Sequence, residues 1–263
     1  MGVGIWILGD QLWQGQSALA SCEADKATTP VIFIESLTHI KERRYHKQKL
    51  ILIWSAMRHF AKALKAEGGP VTYKSAESFE KPLKQWVKEN NINELRVMEP
   101  ADRPFSVFLS GLKLSCDLVQ TPNNHFLWSV QDFENWASPR KSLLLESFYR
   151  EGRKRFESLM DGKKPVGEKW NFDKENRKPP KGKISPPEPL TFSPDEITQE
   201  VIDAVEAADY ETFGESDSFG WAVTREQALD VLEYFVNDRL STPIKTLWSP
   251  DKTPCGTPYC HRI

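Results

Sequence analysis

Apolar residues in the first 140 positions follow two alternating rhythms: short unbroken runs, and longer stretches in which they recur every three or four residues. The runs Val3 to Leu8, Val31 to Glu35, Val71 to Lys74, Glu94 to Met98 and Leu118 to Val119 read as strands. Between them, Lys47 to Glu67 places Ile51, Trp54, Met57, Ala61 and Leu64 along one side of a long helix, which Gly68, Gly69 and Pro70 stop. Shorter helices are expected over Phe79 to Glu89, around Ser106 to Ser115, and over Val130 to Trp136. Strand and helix in alternation predict an α/β fold, a doubly wound, Rossmann-like parallel sheet of five strands. Ligands of such folds sit beyond the carboxyl ends of the strands. The loop starts Gly9-Asp10-Gln11-Leu12, Glu35-Ser36 and Glu99-Pro100-Ala101-Asp102-Arg103 are therefore the first candidates.

Beyond residue 140 the pattern changes. A helix is expected from Lys141 to Met160, and residues 162–194 then form an irregular connector with seven prolines. Structureless loops of that length are usually functional or disordered. Pro194-Asp195-Glu196 is a good helix start leading into Ile197 to Ala208, and Thr224-Arg225-Glu226-Gln227 fits a capping box that opens a helix to about Arg239. Ala228, Leu229, Val231, Leu232, Tyr234, Phe235 and Val236 surround much of that last helix, so 224–239 is a candidate surface for self-association. From Ser241 onward the helical period is lost and four prolines appear. The expected organisation is an α/β domain over 1–137, a connecting helix and long loop over 138–194, the start of a helical domain over 195–240, and an irregular tail over 241–263.

The 263 residues carry a net charge of −2 with 27% charged side chains, so the chain is no polybasic nucleic-acid coat. No run approaches the roughly 20 apolar residues that a membrane span needs, and no basic region precedes the short apolar N-terminus; a cytoplasmic protein without a membrane partner is expected. Cys22, Cys116, Cys255 and Cys260 read as free thiols. The Cys255-x4-Cys260-His261 spacing is too wide for a usual zinc turn. Neither a dinucleotide fingerprint nor a Walker loop is present. The run from Phe148 to Arg177 sets Trp170 and Phe172 among nine Lys and Arg residues. Composition alone makes it an ordered interdomain latch first, and second a nucleic-acid grip in which Lys164, Lys169 and Arg177 meet phosphates while Trp170 stacks.

Several separated segments carry a family resemblance: Ile7-Leu8-Gly9-Asp10-Gln11-Leu12, Tyr45 to Lys49, Ser55 to Phe60, Phe148 to Glu151, Leu159 to Gly162, Lys164 to Gly167, Lys169 to Asp173, and Phe219-Gly220-Trp221 with Val223 to Arg225. From about Ile5 to Leu240 the chain resembles the N-terminal part of the bacterial cryptochrome and photolyase-related family whose complete members also carry an iron–sulfur cluster. The resemblance implies an antenna domain binding 6,7-dimethyl-8-ribityllumazine, a long interdomain loop, and a helical domain holding FAD and the cluster. It implies light-driven DNA photolesion repair or blue-light sensing in complete relatives, hence a lyase class. Carried onto this sequence, the antenna contacts are Gly9, Asp10, Gln11, Phe33, Glu35 and Ser36, with Met57 closing the pocket. His39 stands where some relatives place an acid, Glu168 where Gly is usual, and Gly152 interrupts the basic helix. Past Ser241, where relatives continue into flavin-binding helices, this chain diverges. It is therefore expected to be inactive alone, to have no catalytic residues, to bind at most a small aromatic chromophore, and to meet DNA only weakly.

Overall fold

The computed structural model describes residues 2–171, 187–208 and 210–240. Five strands, β1 (Gly2–Ile7), β2 (Val31–Ser36), β3 (Val71–Ala76), β4 (Ile92–Met98) and β5 (Asp117–Thr121), form one sheet in the order β3-β2-β1-β4-β5. Every neighbouring pair is parallel. The α/β, Rossmann-like class expected from the alternating pattern is therefore the fold observed. Each strand end falls within about two residues of its expected place, the sort of margin at which boundary definitions themselves differ.

Central strands of such a sheet are buried on both sides, which explains their unbroken apolar runs. Ile5, Ile7 and Phe33 face one layer with Ile51, Trp54 and Met57; Trp6, Ile32 and Ile34 face the other with Leu83, Trp86 and Leu109. A fully buried side chain of this size stabilises by about 1.5–3 kcal/mol, so the two layers hold the sheet between them.

The helices are α1 (Ser17–Ala20), α2 (Leu37–Lys41), α3 (Lys47–Ala66), α4 (Glu80–Glu89), α5 (Arg103–Gly111), α6 (Val130–Ala137), α7 (Leu145–Arg155), α8 (Glu196–Ala207) and α9 (Arg225–Tyr234). The short α1 and α2 have no signature in the apolar period. α3 begins at His46, whose Nδ1 accepts from the Gln48 amide at 3.2 Å. Gly214 lies beneath that imidazole at a φ of 80°; a Cβ there would overlap the ring. α5 starts earlier than expected because Asp102 caps it, accepting from Phe105 N at 2.7 Å, and Pro104 pre-sets its first turn. The Thr224 capping box forms as expected: Gln227 N donates to Thr224 Oγ1 at 3.2 Å, and Gln227 Oε1 accepts from Thr224 N at 3.3 Å. α9 runs on into a wider π-type turn over Phe235–Arg239.

The described chain groups into two compact units. One comprises the described residues of Met1–Lys141 and Thr191–Leu229 and contains the sheet. In it, α8 packs on α3 through Val201 and Val205, and Asp195 caps α8 by accepting from Thr198 N at 2.9 Å. The other comprises the described residues of Ser142–Leu190 and Asp230–Ile263. Here the expected helix over 141–160 is shorter, because Glu157 and Leu159 take positive φ values of 50° and 54° and turn the chain. Arg153 seals that turn by donating to the carbonyls of Ser158 and Leu159. A two-residue hairpin, β6 (Met160–Asp161) against β7 (Lys164–Pro165), follows. Glu168 has a φ of 61°, a left-handed conformation in which glycine is at ease. Phe172, Arg177, Cys255, Cys260 and the tail over 241–263 lie outside the described residues.

Candidate functional site

β1, β2 and β4 end at a common edge, and beyond it lies a cleft of about 260 Å3. One wall is aromatic. Trp6 lies 5.6 Å from Phe79 and 5.9 Å from Phe105 between ring centres, and the His39 imidazole lies 5.7 Å from Phe79. The facing wall is the side of α3 bearing Ile53, Trp54 and Met57, extended by Tyr45 and Lys49. Lys49 Nζ sits 5.0 Å from the centre of the Tyr45 ring. Asp10 and Asp102 also line the cleft, with Asp10 exposed.

Of the seven antenna residues expected from the sequence, Gly9, Asp10, Glu35, Ser36 and Met57 line this volume. A Cβ at Gly9 would stand 3.1 Å from Met57 Sδ and 3.2 Å from Ile53 Cγ2, so those side chains would have to shift to admit it. Ser36 caps α2, accepting from His39 N at 3.4 Å. The other two are not among the lining residues. Gln11, 1% exposed, donates its amide to the carbonyls of Met98 at 2.9 Å and Glu99 at 3.3 Å, so it ties the loop after β1 to the end of β4. Phe33 is fully buried, stacked on Tyr73 and edge-on to Phe60, each at 6.0 Å.

The electrostatic centre of the cleft is Glu35, 2% exposed at the end of an otherwise apolar strand. Its Oε1 accepts from Arg58 Nε at 3.0 Å and Tyr73 OH at 2.5 Å, and its Oε2 accepts from Arg58 Nη2 at 3.3 Å. Burial, and then the charge of Glu35, push the Tyr73 phenol far above its usual pKa, so it stays a proton donor. Arg58 Nη1 is also 3.9 Å from Glu200 Oε2 on α8. Arg58 and Tyr73 were not among the residues expected at the site. An available signal was the acid in Val31-Ile32-Phe33-Ile34-Glu35, since a buried carboxylate demands a cation.

The candidate nucleic-acid residues lie in the other unit. Lys164 and Lys169 are exposed, and Arg177 lies outside the described residues. Trp170 is surrounded by its own chain's cations: Arg150, Arg153 and Lys154 lie 5.5, 5.4 and 5.6 Å from its ring centre. Among the described residues, no helix is long and apolar enough to cross a membrane. No group of three or more His, Cys, Asp or Glu there could hold a metal ion.

A parallel five-stranded sheet with an aromatic, carboxylate-bearing cleft at its carboxyl edge defines a Rossmann-like α/β protein. The family described as deoxyribodipyrimidine photo-lyase-related protein matches residues 5–221, and the chain belongs to it. It is 37% identical over 246 residues to a (6-4) photolyase of Agrobacterium fabrum, a match covering 90% of this chain and 48% of that protein. The chain thus spans about half the length of that relative. It is also 26% identical over 148 residues to an uncharacterized protein of Acanthamoeba polyphaga mimivirus, covering 54% of this chain and 76% of that one.

Proposed function

We propose that the cleft holds a ribityllumazine-type antenna chromophore, 6,7-dimethyl-8-ribityllumazine, within a photolyase-related protein of the iron–sulfur type. The observation that carries this reading is the convergence of Gly9, Asp10, Glu35, Ser36 and Met57, drawn from three separate segments, on one volume. The residues fit such a group. Its planar bicycle matches the wall of Trp6, Phe79 and Phe105, and Asp10 and Asp102 offer acceptors for a polyhydroxylated side chain. When bound, the chromophore would supply light absorption; the protein's part is to hold it, orient it and exclude water.

A photolyase takes the damaged bases out of the stack into a pocket, and the resemblance implies that complete relatives build it from flavin-bearing helices. Absorption spectra and intact mass of the purified 263-residue protein test the reading together. A lumazine-like band is expected after incubation with 6,7-dimethyl-8-ribityllumazine, and its absence would overturn the reading.

DNA contact through 148–177 is the second reading, favoured by the exposed Lys163 and Lys164 and by Lys154, which lies 5.6 Å from the Trp170 ring centre. A salt titration of single-stranded DNA binding decides it, because phosphate contacts lose affinity steeply as salt rises.

A further inference from the structure

The Arg58–Glu35–Tyr73 network is more than a fastening between β2, β3 and α3. Stability alone does not account for it, since a buried ion pair is often no better than well-packed apolar residues of the same size. Its geometry leaves something over. An ionised carboxylate offers about four acceptor positions. Oε1 uses two, for Arg58 Nε at 3.0 Å and Tyr73 OH at 2.5 Å, while Oε2 has one partner, Arg58 Nη2 at 3.3 Å. Glu35 borders the cleft with its side chain only 1% exposed, so the remaining acceptor position on Oε2 has little access to bulk water. The partners are themselves fixed: Tyr73 pairs in register with Phe33 and stacks on it, and the Arg58 guanidinium lies 6.0 Å from the Tyr73 ring centre.

Resting on the chromophore reading above, we infer that Glu35 Oε2 accepts an N–H from the edge of the bound heterocycle, and that Arg58 and Tyr73 are positioning residues holding the carboxylate for it. The cleft then selects planar heterocycles with a ring N–H flanked by carbonyls, and rejects counterparts alkylated at that nitrogen. A carboxylate has no proton to give, so a bare carbonyl or deprotonated nitrogen placed there meets repulsion. Leaving a buried acceptor without its donor costs about as much as losing the bond outright.

The test compares 6,7-dimethyl-8-ribityllumazine with its N3-methyl derivative by fluorescence anisotropy on the full 263-residue chain. The parent should bind on the order of 10- to 100-fold more tightly. In Glu35→Gln and Tyr73→Phe, each checked for folding by circular dichroism, parent affinity should fall and the ratio should move toward one. A steric clash with the added methyl would persist in Glu35→Gln, which has the same volume, so an unchanged ratio there overturns the inference. Equal binding of both ligands by the wild type also overturns it, without needing any variant, and leaves the cleft standing as the chromophore site. Binding of neither ligand overturns the chromophore reading and this inference with it. An unchanged ratio in Tyr73→Phe alone removes the positioning role of Tyr73.

Discussion

The cleft and the segment around Trp170 are built from the same kinds of residue, aromatic rings and charged groups. In the cleft, Trp6, Phe79 and Phe105 wall an open volume, and Glu35 retains an acceptor position after pairing with Arg58 and Tyr73. Around Trp170 the ring is already met by Arg150, Arg153 and Lys154. Arg150 also pairs with Glu146 at 2.8 Å, and Arg153 gives its protons to two carbonyls. Composition does not separate a ligand site from an internal fastening. What separates them is whether the polar and aromatic groups have satisfied one another already, and that favours a latch for the second region.

Substitutions sharpen this contrast, beginning with the largest effect. Phe33→Ala should cost about 3–5 kcal/mol by urea denaturation, because a fully buried ring between Phe60 and Tyr73 leaves a cavity. Trp170→Ala should cost less, about 1–2 kcal/mol, from three cation–π contacts, two of them made by exposed cations. Hydrogen exchange should quicken over 145–171 in that variant and stay unchanged over β1 and β2. If single-stranded DNA affinity collapses with Trp170→Ala, the latch reading fails.

Asp195→Ala should remove about 1 kcal/mol by deleting the cap of α8, with Asp195→Asn milder. Although burial acts to raise it, hydrogen bonds from Thr198 and the nearby His59 hold the Asp195 carboxyl below the usual range. Its contribution is therefore full above the unfolded value and disappears as pH falls through the folded one. The Asp195→Asn difference should shrink between neutral pH and strongly acidic pH in urea melts. Smallest of all, Glu168→Gly should leave stability unchanged or raise it by up to about 1 kcal/mol, since it relieves a left-handed glutamate.

Strand positions were readable because a parallel sheet needs unbroken apolar runs, and α3 because Ile51, Trp54 and Met57 share one face. That Gly9, Asp10, Glu35, Ser36 and Met57 border one cleft was legible from the strand-end rule together with the resemblance. Tyr73 was not readable: it meets Glu35 only because β2 and β3 pair with Phe33 beside Tyr73, and no local signal fixes that register. Nor was the early end of α7, which depends on two residues entering the left-handed region. Gln11 shows a related limit. An amide at the sheet edge reads as a ligand contact, and only the position of β4 shows that it joins two strand ends.

The indole of Trp6 is fully buried in the cleft wall, and Trp54 lines the opposite side. Two ultraviolet emitters therefore border one cleft within a chain of nine tryptophans. A bound chromophore that absorbs where indole emits would drain their excited states by resonance transfer. The intrinsic emission of the unlabelled protein would then dim in proportion to occupancy, turning the cleft into its own optical gauge.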